Sequence, residues 1–181
     1  MTLRDTLIAA LAALALAGGA TAPARAADLP PLSHSLTRLA PQPAPALKLK
    51  DLDGKLHDLA SLRGKVVLIN FWATWCPPCR REMPSMERLR QALANEAFVV
   101  LAVDVGENAD TIETFTSQLD TTPGFPILLD TTSRAMRAWK VGGLPTTFLV
   151  DTRGRIVASA VGGREFDHAE IVSTVRSLLK K

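Results

Sequence analysis

Cysteine is scarce in this 181-residue sequence: there are two, Cys76 and Cys79, and only three histidines, His34, His57 and His168. A structural zinc site needs four ligands at characteristic spacings, and no such set can be assembled from these five residues. No metal site and no cofactor is expected. Charge of one sign is lacking too, since 21 basic side chains face 18 acidic ones for a net charge of +3. A nucleic-acid-binding surface calls for a basic face or stripe, and none stands out here. Lys180-Lys181 reads as a solvated helix end complementing the helix dipole. Internal repeats are absent. Long hydrophobic runs are missing as well, because Leu7 to Ala17 falls short of the ~20 apolar residues that span a bilayer.

That short run has another reading. Arg4 precedes it, Gly18-Gly19 breaks it, and Ala24-Arg25-Ala26 fits the small-x-small rule for cleavage before Ala27. Residues 1–26 are therefore expected to be a signal peptide, with an uncleaved anchor as the alternative. On this reading the protein is exported, and it meets a membrane only if the leader stays attached. Residues 27–45 hold Pro30, Pro31, Pro41, Pro43 and Pro45 and read as a proline-rich tether. The domain proper is expected over residues 46–181.

Within the domain, strand and helix patterns alternate. Leu47, Leu49 and Leu52 before Asp53-Gly54, with Leu56 after it, predict a β-hairpin. Val66 to Trp72 is almost wholly apolar, the mark of a strand buried on both faces. Met83, Met86, Leu89 and Leu93 predict a helix from Cys76 to Leu93. Phe98–Val103 and Phe125–Leu129 read as further strands, and Ala109–Leu119 and Thr132–Trp139 as helices. Thr146–Val150 and Arg155–Ala160 form a hairpin around Thr152-Arg153-Gly154. A capping box of Asp167 and Glu170 starts the last helix. The fold class is thus α/β, a central mixed β-sheet flanked by helices.

The cysteines carry the chemistry. An exported chain lives where disulfides persist, yet a bridge across three residues restricts the unfolded chain far less than a long-range staple does. A reactive pair is the stronger reading. Cys76 falls where a strand ends and a helix begins, and the orphan amides and positive dipole end there favour the thiolate. Such placement lowers a thiol pKa from about 8.5 toward neutrality or below. Cys76 is the expected nucleophile, and Cys79, one turn on, resolves the mixed disulfide by closing the Cys76–Cys79 bridge. Pro77 and Pro78 suit a first helical turn, and Trp75 is placed to cover one side of the motif. A copper carrier using both thiols and a distant histidine is an alternative, because soft thiolates select Cu(I).

Three segments carry a resemblance. Arg63 to Pro84, which includes Trp75-Cys76-Pro77-Pro78-Cys79, then Val103-Asp104-Val105-Gly106-Glu107, and Gly142 to Asp151 are similar to the TlpA/ResA/CcmG branch of the thioredoxin superfamily. The resemblance implies a thioredoxin-like fold with a central helical insert, placed at Ala109–Leu119. It implies a thiol-disulfide oxidoreductase that reduces periplasmic protein disulfides, in cytochrome c maturation or copper-centre assembly, re-reduced by a membrane electron donor. A disulfide donor on the same fold is a second alternative. A peroxiredoxin is disfavoured, since Ala73 stands where that family has threonine. The resemblance makes Pro145 the proline after a cis peptide bond and Leu144 the residue whose backbone pairs with a partner's cysteine segment. It gives Glu82 a part in tuning thiol acidity and moving protons; otherwise Glu82 is a surface carboxylate paired with Arg81 or Arg88. Pro84 is expected to kink the first helix. One departure stands out: Asn70 replaces a thioredoxin aspartate, which leaves acid/base work to Glu82 or water.

Overall fold

The computed structural model describes residues 31–180; the leader and residues 27–30 of the tether lie outside them. The central sheet has six strands in the order β1-β8-β7-β4-β5-β6. These are β1 (Thr37–Pro43), β4 (Val66–Trp72), β5 (Phe98–Val105), β6 (Ile127–Asp130), β7 (Thr146–Val150) and β8 (Arg155–Val161). A separate hairpin pairs β2 (Lys48–Lys50) with β3 (Leu56–Asp58). The helices are α1 (Pro77–Ala92), α2 (Ala109–Thr116), α3 (Arg134–Ala138) and α4 (Ala169–Leu179).

Strand β4 is buried at every residue because it lies mid-sheet, parallel to β5 and antiparallel to β7. Its alternation divides the core in two. Val66, Leu68 and Trp72 join Met83, Met86, Leu89, Phe166, Ile171 and Val175 in one cluster. Val67, Ile69 and Phe71 join Leu101, Val103, Trp139 and Val150 in the other. Asn70 has the parity of Leu68 and Trp72, so a fully buried amide faces the layer that contains α1.

Three expectations need correction. The tether is not a free spacer throughout, because Thr37–Pro43 adds to the sheet edge as β1, antiparallel to β8. Proline is compatible with an edge strand, where one side of the backbone needs no partner. The last helix is capped not by Asp167 but by His168, whose ring accepts from the Glu170 N–H. The Asp167 carboxylate is drawn instead to Arg88, at 2.6 Å. Helix α1 continues through Pro84 without interruption, and α2 ends at Thr116, three residues earlier than the pattern implied.

Candidate active site

Cys76 is the N-cap of α1 and Cys79 lies in its first turn, with Pro77 and Pro78 in the initial positions where no backbone donor is needed. The two are joined by a disulfide, with Cα atoms 5.3 Å apart. Both sulfurs sit in a buried setting, Cys79 fully so, whereas Trp75 beside them is 68% exposed. The Leu144–Pro145 peptide bond is cis. Leu144 is half-buried and packs against both core clusters.

Glu82 is one turn beyond Cys79 and completely buried. It is therefore no surface carboxylate, and Arg88 is engaged elsewhere, with Glu165 and Asp167. Asn70 Nδ2 donates to Glu82 Oε1 at 2.7 Å and to Thr147 Oγ1 at 2.9 Å. The Arg164 backbone N–H donates to Glu82 Oε2 at 2.9 Å. Burial pushes the Glu82 carboxyl up to about 8, with these hydrogen bonds and the Arg164 charge opposing the shift. A carboxyl poised there can give and take a proton near neutral pH.

The loop between β8 and α4 ties these parts together. Gly162 N–H donates to Pro145 O at 2.8 Å. A Cβ at Gly163 would stand 3.2 Å from Pro78 O, so the loop backbone abuts the turn between the cysteines. Arg164 reaches Glu82. Gly162 has φ +84°, a left-handed conformation that suits glycine. Three successive residues thus touch the cis-proline segment, the cysteine motif and the buried acid.

Other partners were not legible in advance. Glu107 accepts from the Thr74 N–H and from Thr74 Oγ1, both at 2.6 Å, and so anchors the segment entering the cysteine motif. Asp104, aligned with Trp72 in the β4–β5 register, is fully buried and accepts from the Glu107 N–H at 3.3 Å. Burial pushes its carboxyl up to about 8, reinforced by Glu107 and by the Asp130 charge. The signal was present in the Asp104-Val105-Gly106-Glu107 run, but nothing in spacing alone joins it to Thr74.

A mixed sheet that delivers a Cys-x-x-Cys pair to a helix N-terminus defines the thioredoxin-type dithiol–disulfide proteins. The chain belongs to the AhpC/TSA family, whose model matches residues 40–159. Among curated proteins it is 44% identical over 113 residues to the thiol-disulfide oxidoreductase ResA of Geobacillus thermodenitrificans, covering 62% of this chain and 64% of that one. The match thus spans just under two thirds of that relative's length. To ResA of Bacillus cereus it is 35% identical over 127 residues, covering 70% of this chain and 72% of the relative. A solved thiol:disulfide interchange protein of the thioredoxin family from Chlorobium tepidum superposes with a TM-score of 0.66 at 31% identity, covering 78% of this chain and 98% of that one. Resemblance and fold agree.

Proposed function

We propose that this protein is an exported disulfide reductase that passes two electrons from the Cys76/Cys79 dithiol to disulfides of periplasmic proteins. The observation that carries the reading is the pairing of a helix-capping cysteine with a buried, protonatable Glu82 one turn past the second cysteine. Its relatives' names, thiol-disulfide oxidoreductase ResA, support the reaction class.

In the forward direction the Cys76 thiolate attacks a client disulfide and expels one client thiolate, leaving a mixed disulfide. Cys79 then loses its proton and attacks Cys76 Sγ, forming the internal bridge and releasing the second client thiolate. Glu82 is the nearest acid along α1 to receive the Cys79 proton. Trp75 and the Leu144 backbone are the groups offered to the client. The substrates fall in the class of cytochrome c precursors or copper-centre proteins, and a membrane electron donor restores the dithiol. Copper delivery has less support: His57 is bonded to Asp51 at 2.6 Å and His168 stacks on His34.

Equilibration of the dithiol with a redox buffer tests direction. A potential near that of thioredoxin, about −270 mV, is expected; a value near about −120 mV, in the range of strong disulfide donors, reverses the assignment.

A further inference from the structure

Residues Leu32–Leu36 do not hang free of the domain. Ser33 pairs with Arg164 as an isolated parallel bridge, and Ser33 O accepts the Glu165 N–H at 2.7 Å. Ser35 O accepts from Arg164 Nε at 2.8 Å. Leu32 packs where Gly163 has no side chain, since a Cβ there would lie 2.7 Å from Leu32 Cδ2. This arm therefore lies on the loop that touches Pro145, Pro78 and Glu82. Midway along it His34 stacks on His168, ring centroids 4.0 Å apart and 25° from parallel, with His34 Nε2 3.8 Å from Glu170 Oε2.

We propose that His34, His168 and Glu170 form a site for a divalent transition-metal ion that fastens the N-terminal arm to the start of α4. One ligand atom from each of the three lies within 4.8 Å of the others. Two imidazoles and a carboxylate suit Zn²⁺, Ni²⁺ or Cu²⁺, with water completing the shell. All three side chains are exposed, so small rotamer changes draw the donors to the ~2.0–2.2 Å distances that zinc requires. The present partners are weak ones. The His168 ring accepts the Glu170 N–H at a long 3.3 Å. A metal either takes that lone pair or, after the ring proton moves to Nδ1, binds at Nε2; the neutral ring keeps one proton in both cases. Sequence spacing hides the site, because His34 belongs to the proline-rich stretch and lies far along the chain from His168.

Titration of the oxidised protein with Zn²⁺ by calorimetry tests this, because the closed disulfide keeps both sulfurs out of the competition. One zinc per chain is expected, with binding at least tenfold weaker in His34→Ala and in His168→Asn. Asparagine at 168 retains helix-capping ability, so its loss of binding is not a loss of the helix. His57→Ala should bind as the parent does. Zinc should also slow hydrogen exchange at the Glu165 amide, which reports the arm docked on the loop. Unchanged affinity in His34→Ala, or zinc binding that leaves Glu165 exchange unaltered, overturns the proposal. These readouts are independent of disulfide reduction, so their failure leaves the reductase reading untouched.

Discussion

The Arg164 backbone N–H and the Glu82 carboxylate meet at 2.9 Å across 82 residues of chain. The contact places the loop after β8 over the acid that lies one turn beyond Cys79. Through its two preceding residues the same loop holds the cis-proline segment and abuts the inter-cysteine turn.

Glu82→Gln should flatten the pH dependence of thiol exchange. In the parent, the carboxyl passes from neutral to charged around pH 8, and the rate of mixed-disulfide resolution should change over that range. Stopped-flow exchange with a model disulfide from pH 6 to 9 checks this. An unaltered profile in the variant would remove Glu82 from proton transfer.

Stability should move with pH in a definite direction. Glu82 and Asp104 have native pKa values raised to about 8 from 4.5 and 3.8. Between those limits the native state holds protons that the unfolded chain has lost, so stability falls as pH rises. The oxidised protein should unfold at a lower temperature at pH 8 than at pH 5. Glu82→Gln removes one of the two raised carboxyls and should reduce the slope. Thermal melts across that range decide it, and a parent more stable at pH 8 would contradict the assignment.

Asn70→Asp would set a second carboxyl against Glu82 Oε1. Two acids in hydrogen-bond contact share one proton and titrate in two separated steps. Carboxyl chemical shifts followed by NMR should show a split that the parent lacks. A single unshifted titration would mean that the two side chains do not meet.

Glu107→Ala leaves the Thr74 N–H and hydroxyl without their charged acceptor. Hydrogen bonds to charged groups contribute about 1.5–3 kcal/mol each, so a loss of a few kcal/mol in stability is expected. Faster hydrogen exchange at Thr74 should accompany it, together with slower attack by Cys76. Exchange at Thr74 no faster than in the parent would show that the anchor is dispensable.

Cys79→Ser should accumulate mixed disulfides with clients, because the resolving sulfur is gone, whereas Cys76→Ser should not. Capture in the source cell followed by mass spectrometry also identifies the clients. Predominant trapping by Cys76→Ser would invert the two roles.

Much of this protein was readable one residue at a time. The unbroken apolar run of β4, the three- and four-residue apolar spacing of α1 and the Asp53-Gly54 and Arg153-Gly154 turns report local geometry, and local geometry is written in local sequence. The cysteine pair at a strand–helix junction likewise announces its chemistry through position alone. Tertiary structure decided what depends on neighbours distant in the chain. Whether Glu82 is a surface charge or a buried acid turns on Asn70 and on the Arg164 amide. Whether Thr37–Pro43 is a spacer or an edge strand turns on β8. The capture of Asp167 by Arg88, which leaves His168 to cap α4, is of the same kind. Burial and hydrogen bonding are properties of the assembled layers, and a sequence pattern specifies which faces are apolar without specifying which polar groups will meet between them.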